Sequence, residues 1–123
     1  MRVMVAVLAA AAMVPAPAQA MSVADFLAKA AILKAKGMGA MFAPELKQVR
    51  TEIESVSTAY RSDLAAQRAA GKPPHSCPPP KGKAKLTSDD FLREFQAVPL
   101  AQRSTTSVKQ VFYGLMKRKY PCA

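Results

Sequence analysis

The sequence predicts an all-α protein: a small bundle of about four helices, stapled by one disulfide and preceded by a cleaved signal peptide. Three observations carry that expectation. Apolar residues recur at steps of three and four in separate stretches, and no stretch alternates apolar with polar residues as a half-buried strand does. The opening segment, MRVMVAVLAAAAMVPAPAQA, differs in composition from everything after it. Only 2 cysteines are present, Cys77 and Cys122, and the second is the next-to-last residue.

The amino-terminal segment sets the domain organisation. Arg2 supplies an early positive charge, an apolar run follows from Val3 to Val14, and Pro15 and Pro17 lead to Ala18-Gln19-Ala20. This is the order of a secretory signal peptide cut after a small residue. The apolar run is shorter than the ~20 residues that a bilayer-spanning helix needs. No second long apolar segment follows. Residues 21–123 are therefore expected to form one soluble helical domain in the periplasm, without stable membrane insertion after cleavage of 1–20. The expected helices are about 22–36, 44–70, 87–98 and 104–119, with a proline- and lysine-rich loop at 71–86.

In the first helix, Ser22 is the candidate N-cap and Asp25 stands three residues on. Val23, Phe26, Leu27, Ala30 and Leu33 make one apolar face, and Gly37 ends it. Met38, Met41 and Phe42 in the following GMGAMFAP are expected to tuck under the domain as core filler. Pro44 suits the first turn of the long second helix. Its seam runs Leu46, Val49, Ile53, Val56, Tyr60, Leu64 and, as a polar end, Gln67, with Gly71 as the stop. Thr87 or Ser88 caps the third helix, whose Asp89 and Asp90 complement the helix dipole. Phe91, Leu92, Phe95 and Val98 face inward, and Val98-Pro99 stops it. Ser104 or Thr105 is the expected cap of the last helix, with Val108, Val111, Phe112 and Leu115 inward and Lys117, Arg118 and Lys119 at its end.

The cysteines are read through the compartment. Export to an oxidising space favours a Cys77–Cys122 disulfide. An intermolecular bridge or two free thiols are the alternatives. The intramolecular bond would close a loop of about 46 residues, worth on the order of 4 kcal/mol in the chain-entropy model. Its partner segment, KPPHSCPPPKGKAK, is too rich in proline for helix or central strand and is expected to be extended.

Composition narrows the function classes. The 123 residues carry 18 Lys+Arg and 8 Asp+Glu, a formal +10 that suits anionic partners such as peptidoglycan acids, lipopolysaccharide or an acidic protein. The expected compartment argues against nucleic acid. A lone histidine and two cysteines fall short of a four-ligand structural zinc site, so no metal and no cofactor is expected. His75 beside Ser76 and Cys77 invites a nucleophile reading, yet neighbours in an extended segment point apart and Cys77 is better used in a disulfide. Glu52 and Glu54, two apart on a helix, do not face one another. No glycine-rich phosphate loop occurs. The expectation is a protein that is not an enzyme.

From Cys77-Pro78, through Phe91, Leu92, Phe95 and Val98-Pro99, to Val108, Val111, Phe112, Leu115 and the closing Tyr120-Pro121-Cys122, the chain resembles the Rap/Tai family. These are small periplasmic immunity proteins of type VI secretion systems. The likeness covers roughly residues 77–122. The seam from Leu46 to Leu64 and the basic, proline-rich loop depart from it. The resemblance implies a helical, disulfide-linked protein that binds and blocks a cell-wall-degrading amidase toxin. The competing classes are a periplasmic acid-stress chaperone similar to the HdeA type and an envelope protein that binds anionic polymers. The expected partner is a protein, with a homodimer as a further possibility. The candidate partner-binding residues are His75, Lys81, Lys83 and Lys85, on a loop stiffened by five prolines, with His75 expected near its tip. The alternative is a plain surface connection, which would leave the exposed face of the long helix, around Lys47, Arg50, Glu54 and Arg61, as the interface.

Overall fold

A computed structural model describes residues 20–123; the expected signal peptide, but for Ala20, lies outside the described residues. The fold is an all-α bundle of four helices stapled by one disulfide: α1 (Val23–Lys36), α2 (Pro44–Ala69), α3 (Ser88–Ala97) and α4 (Val108–Lys119). Two short 3-10 turns, Gly37–Phe42 and Leu100–Gln102, lie between them. The expected helix boundaries for α1, α2 and α3 hold to within a residue.

Local sequence starts and stops these helices. The Ser22 hydroxyl accepts the Asp25 N–H at 3.1 Å. Thr87 forms a full capping box with Asp90, whose carboxylate accepts the Thr87 N–H at 2.8 Å. That backbone hydrogen bond, then the Thr87 hydroxyl and Arg93, holds the Asp90 carboxyl below its ordinary range. Arg103 closes the other end of α3, donating from Nε to Val98 O at 2.9 Å and from Nη2 to Gln96 O at 2.8 Å.

The start of α4 differs from expectation. Its cap is Ser107, in a capping box with Gln110, rather than Ser104 or Thr105. After Pro99 the chain makes a 3-10 turn, with Gln102 N–H on Pro99 O at 2.8 Å, and the hydroxyls of Thr105 and Thr106 are spent on Gln102 O. These local bonds compete with helix and delay it to Ser107.

The core draws on every helix. Val23 and Phe26 of α1, Val56, Tyr60 and Leu64 of α2, Phe95 of α3, and Val108, Phe112 and Met116 of α4 form one buried cluster. Phe26 and Phe95 lie 4.6 Å apart between ring centroids, and Phe91 stacks on Phe112 at 5.6 Å. Burying one such ring contributes about 1.5–3 kcal/mol. Met116 adds to the expected face of α4; it stands one turn beyond Phe112. The residues Met38, Met41 and Phe42 do not tuck under the domain: all three are exposed. Gly37, at φ 55°, turns the chain off the axis of α1, and the 3-10 turn then projects from the bundle.

A backbone clip joins the two distant helix starts. Ser22 and Ser107 pair as an antiparallel bridge. Val23 and Ala24 donate to Thr106 O and Arg103 O at 2.8 and 2.9 Å, and Val108 donates to Met21 O at 2.9 Å. Three amide groups that a helix start normally leaves unpaired are thus satisfied inside the protein.

Candidate functional site

The loop after α2 is built outward from that helix. Gly71, at φ 69°, reverses the chain, and Lys72 N–H returns to Gln67 O at 2.9 Å. Gln67, the polar end of the seam, uses its side chain as well: Oε1 accepts the His75 N–H at 2.7 Å. About two turns back on α2, the Tyr60 hydroxyl meets the Ser76 hydroxyl, and Ser76 is fully buried. His75 Nδ1 lies 3.1 Å from the same Ser76 oxygen.

At Cys77 the end of α4 adds its own tethers. Cys77 N–H donates to Tyr120 O at 2.8 Å, just past α4. The Cys77–Cys122 disulfide is formed and spans a sequence separation of 45. Arg61 Nη1 then reaches Pro79 O at 3.0 Å. Beyond Pro79 the tethers thin out. Lys83 N–H closes a turn onto Pro80 O at 2.9 Å, Gly82 sits at φ 86°, and Lys81, Gly82 and Lys83 are exposed. Lys85 is exposed too, while its carbonyl faces Lys119 Nζ at 3.4 Å.

The four candidate partner residues therefore separate. Lys81 and Lys83 share one turn, and Lys85 follows two residues on, in the irregular run before α3. His75 is not at the tip. Pro73 and Pro74 carry the chain back across α2, and Gln67 catches the His75 amide. Its ring lies 5.5 Å from Tyr113 and 6.3 Å from Tyr60, half-buried. The Tyr113 hydroxyl donates to Asp63 Oδ2 at 2.6 Å. Burial first, and then the Asp63 carboxylate beside it, push the Tyr113 phenol above its ordinary 10.0. Tyr60, Tyr113, His75 and Ser76 thus form an aromatic and hydroxyl latch that fastens the loop to α2 and α4.

Chemically this is a holding device. The Ser76 oxygen has no exposed surface, so the His75–Ser76 pair does not present a nucleophile to a substrate. Among the described residues, no group of three or more His, Cys, Asp or Glu side chains could hold a metal ion. The latch residues Tyr60, Ser76 and Tyr113, and Gln67, which holds the His75 amide, were not legible as a set from the sequence. Two signals existed: a tyrosine within an apolar seam needs a partner for its hydroxyl, and a glutamine at a seam position needs one for its amide.

No family model, no curated protein and no solved structure matches this chain.

Proposed function

We propose that this chain is a small exported inhibitor that binds and blocks a cell-wall-degrading amidase, in the manner of the Rap/Tai immunity proteins. In this reading the Lys81–Lys83 turn is the element offered to the partner's cleft. One observation supports it above others: the loop is tethered through Pro79 and exposes its lysines just beyond. A turn anchored at Pro79 and closed by Lys83 N–H on Pro80 O has less conformational entropy to lose on docking than a free segment. Lysines at its edge mainly speed association with an acidic surface. The likeness over residues 77–122 supplies the class of partner. His75 then has a supporting role, holding the turn in place rather than touching the partner.

The test is a panel of purified peptidoglycan amidases from type VI secretion systems. One of them should form a stoichiometric complex and lose activity, with an affinity that falls as salt rises. A Lys81→Ser/Lys83→Ser/Lys85→Ser variant should melt as the parent does and bind at least about ten-fold more weakly. Unchanged affinity for an inhibited amidase would move the interface to α2, around Lys47, Arg50, Glu54 and Arg61. Inhibition of none, together with broad suppression of client aggregation in acid, would place the chain with the periplasmic chaperones.

A further inference from the structure

The connection between α1 and α2 shows apolar surface that the bundle does not use. Met38, Met41 and Phe42, in the 3-10 turn Gly37–Phe42, are 91%, 75% and 91% exposed. Scattered single apolar side chains on a surface need no explanation, but three within five residues form a patch. Gly37 turns the chain outward, and Ala43, which is buried, brings it back to the start of α2 at Pro44. The three side chains therefore stand on a knuckle.

The charges around this knuckle have one dominant sign. Lys34 and Lys36 occupy the last turn of α1. Lys47 and Arg50 share a shallow hollow with Met41 and Phe42. Two carboxylates are near. Glu45 is paired with Lys36 at 3.6 Å, and Glu54 lies on the wall of the hollow. An apolar tip thus sits inside a collar that is net positive. The hollow shares Leu46, Arg50 and Glu54 with an apolar groove of ≈ 640 Å³ between α1, α2 and the start of α3. The apolar surface therefore continues past the knuckle toward Leu33 and Leu92.

We infer that the Gly37–Phe42 knuckle is a membrane-surface anchor, seating Met41 and Phe42 in the interface of an anionic bilayer while Lys34, Lys36, Lys47 and Arg50 meet its headgroups. Apolar side chains ringed by basic ones are what such an interface selects, because burial at the acyl boundary and attraction to the headgroups add. Neither suffices alone, so the attachment is reversible. None of the described helices is long and apolar enough to cross a membrane, so the contact lies on the surface. A second copy fits the patch less well: it brings the same positive collar, and a few side chains fall short of the ~800 Å² per partner of a stable interface. The inference uses none of the residues of the Lys81–Lys83 turn and stands apart from the inhibitor reading.

Residues 21–123, the expected mature chain, contain the whole buried cluster and both cysteines, so that chain is the probe. It is sedimented with vesicles of pure phosphatidylglycerol and of pure phosphatidylcholine, at low and high salt. Binding to the anionic vesicles alone, weakened by salt, is the expected result. Met41→Ser/Phe42→Ser changes two exposed side chains, so melting should hold while vesicle affinity drops about ten-fold or more. Lys34→Gln/Lys47→Gln should cost about five-fold per lysine and flatten the salt dependence. The Lys81→Ser/Lys83→Ser/Lys85→Ser variant should stay within about two-fold of the parent. Parent-like binding by Met41→Ser/Phe42→Ser would overturn the anchor and leave net charge as the cause. Absence of binding to phosphatidylglycerol by the folded parent would overturn it as well. So would self-association that vanishes in Met41→Ser/Phe42→Ser without vesicle binding, which would make a second copy the occupant.

Discussion

Two connections in this protein solve opposite problems. The loop 71–86 is long and polar, yet it is tied down by a disulfide, a buried hydroxyl pair, N–H groups that donate to Gln67 and Tyr120, and a hydrogen bond from Arg61. The turn Gly37–Phe42 is short and apolar, yet its large side chains touch little of the bundle. Composition alone would assign order to the second and mobility to the first. Tethering follows the availability of partners instead. Backbone polar groups in the loop find side chains on α2 and α4, whereas the knuckle lies beyond the reach of the core cluster. A loop with many prolines and a covalent tie is also a loop with few unfolded conformations to lose.

The comparison can be broken in order of expected effect. Phe95→Ala removes a fully buried ring from the core that neither connection supplies, and should cost about 3–5 kcal/mol in urea unfolding. A loss below about 1 kcal/mol would mean the core is misplaced. Cys77→Ser/Cys122→Ser removes the covalent tie and leaves the hydrogen bonds of the loop in place; it should cost about 2–4 kcal/mol, with proteolytic nicking rising first within 72–86. If nicking instead began at 37–42, the assignment of the tethered region would be reversed.

Alkali sharpens the contrast. The Tyr113 phenol is raised in the folded protein, so the folded state holds its proton more tightly than the unfolded state. The stability this contributes is complete below pH 10.0 and is lost as pH rises through the folded value. Tyr113→Phe should therefore flatten the alkaline limb of the stability profile, a result read from urea midpoints across pH. The smallest effect belongs to the knuckle: Phe42→Ser should leave the urea midpoint within about 0.5 kcal/mol of the parent. A larger loss would show that the turn packs in solution.

Much of the fold was legible in the sequence. Helix periodicity, Ser22 and Thr87 as caps, and Gly37 and Gly71 as stops each rest on near-neighbour chemistry, which a sequence displays directly. The same holds for the pairing of Cys77 with Cys122, since two cysteines in one chain leave a single internal pairing. What escaped depends on tertiary partners. The true start of α4 was hidden because four consecutive hydroxyl residues, Ser104 to Ser107, all suit a cap; the Gln110 capping box, the Thr105 and Thr106 bonds to Gln102 and the clip to Ser22 together select Ser107. The position of His75 depended on Gln67, eight residues away on another element. The exposure of Met41 and Phe42 ran against their hydrophobicity, and no local pattern distinguishes a filler methionine from a projecting one.

The latch has an optical consequence. The chain contains 0 Trp and 3 Tyr, so tyrosine dominates its emission. Tyr60 and Tyr113, with ring centroids 5.3 Å apart, belong to the latch, and Tyr113 holds its hydroxyl against a carboxylate that can accept a proton from the excited state. The same two tyrosines hold the loop, Tyr60 through the Ser76 hydroxyl and Tyr113 through the His75 ring, so emission from this chain should change as the loop opens. The protein carries its own reporter of loop release, readable by stopped-flow mixing with reductant or with a binding partner, and no label is required.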